Sequence, residues 1–328
     1  MDLELAAIVP LIPDLPFDEL DRTRRTMADL IEGLPTDLTG TIVEDRIAPG
    51  DPDVPVRIFT PERRGTEPVP AVLDIHGGGF AIGTVALDDG SNADLVRETG
   101  FVVVSVGYRL APEHPFPAPA QDCYTALRWL VDNADDLGVD PGRIAVLGDS
   151  SGGGLAATTV LLARDRGGPA VAMQVLIEPE LDDRLDTPSM LAGAETVGWN
   201  NVQAVLSWRH YLGGAGADAY AAPARMADLA GLPPTYLTVN ELDCLRDEGL
   251  EYARRLLAAG VSTELHCWPG AFHGFATLVP TAAISVRANA TLHDALRRGL
   301  GAAARHDTDV FCSPNVHYRP DGVEHVPS

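Results

Sequence analysis

Two glycine-rich turns, each directly after a buried-strand pattern, constrain this chain more than any other feature. His76-Gly77-Gly78-Gly79-Phe80 follows Val69-Pro70-Ala71-Val72-Leu73-Asp74-Ile75. Gly148-Asp149-Ser150-Ser151-Gly152-Gly153 follows Arg143-Ile144-Ala145-Val146-Leu147 and leads into the helix-like Leu155-Ala156-Ala157-Thr158-Thr159-Val160-Leu161-Leu162. A strand, a Gly-x-Ser-x-Gly turn and a helix in succession put the serine at a sharp reversal, in a backbone conformation costly for most residues. Gly148 and Gly152 carry no Cβ, so strand and helix can approach closely there. Amides at the start of the helix favour negative charge beside the serine.

A serine hydroxyl is a weak nucleophile; it needs a base, and the base needs an orienting group. Asp243 lies in Asn240-Glu241-Leu242-Asp243-Cys244-Leu245-Arg246-Asp247-Glu248, after the strand-like run 234–239. His273 lies in Trp268-Pro269-Gly270-Ala271-Phe272-His273-Gly274-Phe275, after the strand-like run 263–267. Both loops fall at the C-terminal ends of strands, where an open parallel sheet builds its sites. His210, His293 and His306 lack that frame and are expected to be solvated surface residues.

The wider pattern is α/β. Residues 1–40 read as helical with proline breaks, with Phe17, Leu20, Met27, Leu30 and Ile31 on a ragged apolar face. Runs 41–47 and 54–60 look like an antiparallel lead-in to a sheet. From Val69 onward strands alternate with helices: 101–106 is a strand, and Ala120, Cys123, Tyr124, Leu127, Leu130 and Val131 mark a helix stripe. Such alternation predicts a mostly parallel central sheet flanked by helices. It breaks between about Asp183 and Ala222, where Trp199, Trp208, Tyr211 and Leu212 fall in a helical insertion. The expected organisation is an N-terminal segment 1–40, a core in two parts, 41–183 and 223–305, an insertion 184–222 and a tail 306–328.

Between the two turns stands Tyr108-Arg109-Leu110-Ala111-Pro112-Glu113-His114-Pro115-Phe116-Pro117-Ala118. With these three motifs and the order Ser150, Asp243, His273, which is that of α/β hydrolases, the chain resembles the bacterial hormone-sensitive lipase family of esterases. The similarity runs from about residue 40 to residue 300, and includes that family's acid loop around Asp243 and its histidine loop around Phe272-His273-Gly274-Phe275. The resemblance implies an α/β-hydrolase fold in which residues 1–40 and 184–222 form a cap over the serine. It implies Ser150 as nucleophile, Asp243 as orienting acid and His273 as base, with the amides of Gly78, Gly79 and Ser151 as the oxyanion hole. The implied substrate is a carboxylic ester, with no cofactor and no metal. A capped, apolar pocket suits soluble short- to medium-chain esters. Phe80, Leu110, Trp199 and Leu278 are candidates to line it, though each also reads as core. With an ordinary imidazole as base, activity should fall below about pH 6 to 7.

The chain departs from the family pattern at three positions. Ser151 stands where alanine is usual, and Glu178 where many relatives have tyrosine. Cys244 replaces a proline, which is expected to loosen the backbone beside Asp243. Two other readings share the fold: an amidase or peptidase with the same triad, and a small-molecule receptor. The presence of all three triad residues disfavours the receptor. A serine nucleophile also argues against dehalogenases and epoxide hydrolases, which use an aspartate.

Composition narrows the partners. The 328 residues carry 24 basic and 47 acidic side chains, a net charge of −23, which repels nucleic acid and anionic membranes. All the basic residues are arginine. No run approaches about eighteen apolar residues, so no membrane span is expected. The acidic start, Met1-Asp2-Leu3-Glu4-Leu5, is unlike a signal peptide, and Cys123, Cys244, Cys267 and Cys312 form neither a metal nor a disulfide pattern. The irregular spacing of Cys312, His317 and His325 does not suggest a metal site either. A cytoplasmic enzyme is expected. An edge strand near the acid–histidine half could pair two copies into a homodimer.

Overall fold

The computed structural model describes residues 1–13, 15–33 and 36–301. The tail 306–328, with His306, Cys312, His317 and His325, lies outside the described residues. Eight strands form one sheet: β1 (Thr41–Ala48), β2 (Val54–Pro61), β3 (Val69–Ile75), β4 (Val102–Val106), β5 (Val139–Asp149), β6 (Met173–Ile177), β7 (Thr235–Asn240) and β8 (Thr263–Trp268). Their order is β1-β2-β4-β3-β5-β6-β7-β8. β1 and β2 are antiparallel to each other and β2 to β4, as the lead-in predicts, while every pairing from β4 to β8 is parallel.

Helices cover both faces, so the central strands read as continuous apolar runs. Alternation along them still decides which layer each side chain joins. Leu73, Ile75, Val104, Val146 and Leu176 pack with Leu127, Leu155, Leu161 and Leu256, from helices Ala118–Asp132, Ser151–Asp165 and Arg246–Ala258. Val72, Val103, Ala145, Val175 and Tyr236 pack on the other face, with Leu95 and Val96 of Asp89–Thr99 and Leu296 of Ala283–Leu300. The helix Ser151–Asp165 is buried from Ser151 to Ala163. Its side chains are apolar or small nearly all round, as suits a helix enclosed by protein.

Register places the functional loops. Ile75 pairs with Gly148, and Asp149 with Ile177. The glycine loop after β3, the serine turn after β5 and the chain after β6 therefore leave one sheet edge side by side.

Above that edge lies a small apolar cluster in which Phe17, Met190, Trp199 and Ala204 meet Ala81, Ile82, Cys244 and Leu245. The N-terminal segment and the insertion thus meet over the loops of the site. The helix Asn201–Leu212 begins with a capping box between Asn200 and Gln203. Gln203 Nε2 also donates to the Leu15 carbonyl at 3.1 Å. Trp208 and Tyr211 lie inside this helix, while Trp199 sits just ahead of it. Of the histidines expected at the surface, His293 is buried and His210 is half-buried. His210 Nε2 bonds the Phe17 carbonyl at 2.9 Å, and His293 is buried in the helix Ala283–Leu300. His293 lies on the inward face of its helix, and His210 beside the N-terminal segment that its helix packs on. Leu30, by contrast, is 39% exposed.

One arginine clamps the N-terminal helix Leu20–Gly33 to the body. Arg24 Nε donates to the Ala81 carbonyl and Nη2 to the Ala111 carbonyl, both at 2.9 Å. The same fork pairs with Glu113 at 2.7 and 2.8 Å. The ion pair is partly exposed and adds little, but the two carbonyl bonds are charge-assisted. Arg24→Ala is expected to cost about 1–2 kcal/mol of stability, measured as a lowered denaturation midpoint in urea. An unchanged midpoint would show that the clamp is not stabilising.

Candidate active site

The serine turn is as tight as its glycines suggest. Ser150 has φ 56° and ψ −122°, a conformation worth about 1–3 kcal/mol of strain for a residue with a side chain. Three backbone bonds hold it: Ser150 N–H donates to the Ile177 carbonyl at 2.9 Å, and its own carbonyl accepts from Glu180 N–H at 2.9 Å and Gly154 N–H at 3.1 Å. A Cβ on Gly148 would sit 2.0 Å from the Gly152 carbonyl oxygen, and one on Gly152 would sit 2.0 Å from that of Ile75. Neither position admits a larger residue.

The three residues singled out by order along the chain converge. His273 Nε2 lies 2.9 Å from Ser150 Oγ, and His273 Nδ1 lies 2.7 Å from Asp243 Oδ2. The other Asp243 oxygen accepts from Leu245 N–H at 2.9 Å, so the carboxylate is fixed before it meets the ring. Cys244 does not loosen this loop. Its carbonyl accepts from Ser189 Oγ at 2.8 Å, and its buried side chain packs beneath Gly193. These contacts tie the Cys244 backbone to the insertion.

Gly78 and Gly79 have φ of 116° and 55°, which turns the loop after β3 alongside the serine; a Cβ on Gly77 would lie 3.3 Å from Ser150 Cβ. Ser151 N–H opens the helix and so has no intrahelical acceptor. The loop is braced from below. Tyr108 O–H donates to the His76 carbonyl at 2.9 Å, and the two rings stack at 4.3 Å. Burial pushes the His76 pKa down to about 4. The ring is therefore neutral at ordinary pH, with Nδ1 2.8 Å from the Gly77 carbonyl.

The four lining candidates separate. Trp199 roofs the site: with Phe17 it closes over Gly79, whose Cβ would fall 2.6 Å from either ring, and it lies 6.1 Å from the His273 ring between centroids. Leu110 borders a cavity of about 430 Å³ shared with Arg24, Met27, Ile31 and Thr84. Phe80 instead is core, stacked on Tyr211 at 3.9 Å. Leu278 is 44% exposed beside Gly274. Phe17 is the roof residue missed from the sequence; its apolar neighbours resembled any amphipathic helix entry.

Glu178, Asp243 and His273 have ligand atoms within 4.8 Å of one another, the one such cluster among the described residues. The Asp243–His273 pairing already engages two of them, and Glu178 accepts from Gly274 N–H at 2.7 Å.

Burial opposes charge on His273, but Asp243, Glu178 and Asp149 together raise its pKa well above the ordinary 6.5. Only the neutral ring can take the serine proton, so activity is lost as pH falls through this raised value. Asp243, Glu178 and Asp149 thus favour a base that titrates above an ordinary imidazole. The acid limb of kcat/KM for an ester is expected to have its midpoint above about pH 6.5; a pH–rate profile with a lower midpoint would contradict this.

Fold and site are those of a hydrolase of the α/β class. The chain belongs to the α/β-hydrolase fold family, which it matches over residues 72–277, in the hormone-sensitive lipase branch of esterases. It is 41% identical to carboxylesterase NlhH of Mycobacterium tuberculosis over 263 residues, which cover 77% of this chain and 78% of that protein. Among solved structures, a bacterial heroin esterase superposes with TM-score 0.89 at 50% identity, covering 92% of this chain and 98% of that one. Esterase LipW of Mycobacterium marinum superposes with TM-score 0.84 at 39% identity, covering 91% and 96%.

Proposed function

We propose that this chain is a serine carboxylesterase, hydrolysing short- to medium-chain carboxylic esters through an acyl-enzyme. The observation that carries the reading is the continuous relay from Asp243 through His273 to Ser150, with contacts of 2.7 and 2.9 Å. Kinship with named esterases supports the ester as substrate class.

Ser150 Oγ attacks the ester carbonyl as His273 takes its proton. The amides of Gly78, Gly79 and Ser151 receive the negative oxygen, each such donor being worth about 10²–10³ in rate. His273 returns the proton to the departing alcohol, then activates water against the acyl-enzyme. Asp243 fixes the tautomer and stabilises the charged ring without taking its proton. Ser150 is only 4% exposed, so the covering segments exclude water from the charged intermediates. The aromatic roof of Phe17 and Trp199 sits directly over Gly79, which favours compact acyl groups.

The same reading places the enzyme in the cytoplasm, supported by free thiols at Cys123, Cys244 and Cys267. No described helix is long and apolar enough to cross a membrane. The reading also pairs two copies through β8, which among the described residues is the edge strand of the sheet beyond β7; a monomer in sedimentation would remove that part. Two measurements test the whole. Ser150→Ala should stay folded and lose ester turnover by about 10⁴-fold or more, and an organophosphonate should label Ser150 in the native protein. Near-normal turnover in Ser150→Ala would overturn the mechanism. Nitrophenyl esters from acetate to palmitate should give their highest kcat/KM at the shorter chains, and matched anilides should be poor substrates. Preference for the anilide would favour an amidase instead.

A further inference from the structure

Glu178 is a buried carboxylate beside the imidazole to which the acyl-enzyme route assigns no task. It follows the last residue of β6, is 4% exposed, and has φ 38°, a left-handed conformation unusual for a side-chain-bearing residue. Its carboxylate reaches both flanks of His273. One oxygen accepts from Gly274 N–H at 2.7 Å. The other accepts from Asn240 Nδ2, which also donates to the Phe272 carbonyl at 3.1 Å. That second oxygen stands 4.0 Å from His273 Nδ1, on which Asp243 also acts.

We propose that Glu178 is a positioning residue for His273: it grips the chain on both sides of the ring and acts as a second counter-charge to the imidazolium formed in each half-reaction. The inference rests on the reading of His273 as base. Both carboxylate oxygens accept N–H bonds, which stabilise the charged form when the ring beside it is protonated. The groups facing Glu178 are Asp149 from β5, Asp243 from the loop after β7 and His273 itself. A cavity of about 110 Å³ on its other side is also lined by Asp74, Asp88 and His293. Burial, with Asp149 and Asp243 adding to it, pushes the Glu178 pKa well above the ordinary carboxylate range, while charge on His273 and the Gly274 N–H bond pull it back down. Charge on Glu178 is therefore favoured when the ring is protonated, the state in which a counter-charge stabilises it.

An opposite charge within about 4–6 Å commonly shifts a pKa by one to three units. Removing this one makes the imidazolium easier to deprotonate, so the acid limb moves to lower pH. The test compares the native protein with E178Q, which keeps an acceptor for Gly274 but no charge, and with E178D, which draws the charge back. Two pH profiles are read for each: kcat/KM for a nitrophenyl ester, and the rate of inactivation by an organophosphonate. In E178Q both acid limbs should fall by about one pH unit or more, with kcat reduced and KM nearly constant. In E178D the limbs should fall by less. An unmoved limb in either folded variant, or equal shifts in both, overturns the proposal, and circular dichroism establishes which variants fold. Native turnover that survives Ser150→Ala would instead defeat the esterase reading, so the two failures are distinct.

Discussion

The 2.9 Å approach of Ser150 Oγ to His273 Nε2 joins residues 123 positions apart in sequence, and parallel register in the sheet makes it possible. Because β3, β5, β6, β7 and β8 all run the same way, each delivers its following loop to one edge. The glycine loop, the serine, Glu178, Asp243 and His273 leave that edge in spatial order. The glycines then set the spacing between neighbours. With Gly152 against the Ile75 carbonyl, the serine turn and the glycine loop lie closer than any side chain would allow. The glycine loop and the nucleophile therefore lie side by side.

The electrostatics follow from that geometry. Delivering several loops to one buried edge also delivers several carboxylates, and a buried acid is stable only where donors or a cation meet it. Asp243 meets Leu245 N–H and the imidazole, and Glu178 meets Gly274 N–H and Asn240. Asp74 meets Asn92 Nδ2 at 2.8 Å. Burial still lifts Asp74 and Asp149 to pKa values of about 6. Against the cost of burial, Asp243, Glu178 and Asp149 favour the charged imidazole, and its pKa moves upward.

What was legible in the sequence was what neighbouring residues decide. The alternation of strands and helices, the two glycine turns and the loops after β7 and β8 each carry a local signature, and Ser150, Asp243 and His273 fell where those signatures put them. What was not legible depends on packing between distant segments. Nothing near Phe17 says that it will roof Gly79, and nothing near Phe80 says that Tyr211 will claim its face. Cys244 looked like a loss of stiffness because its support, Ser189, lies 55 residues away. His293 looked solvated because a helix hides its inward face from any reading of one loop, and His210 because its partner Phe17 lies on a distant segment. Glu178 was visible as a departure, but its partners Asn240 and Gly274 lie on other elements.

The roof and the oxyanion loop are one mechanical unit. Arg24 bonds the N-terminal helix to Ala81, next to the loop's last turn, and to Ala111. Gln203 and His210 bond the insertion helix to Leu15 and Phe17 on the same segment. Displacing this covering segment would break its bonds to Ala81 and Ala111, which flank the chain carrying Gly78 and Gly79. In the mechanism proposed above, the Gly78 and Gly79 amides receive the oxyanion directly beneath Phe17 and Trp199, so the contacts that limit the acyl group and those that hold the donors belong to the same neighbouring segments.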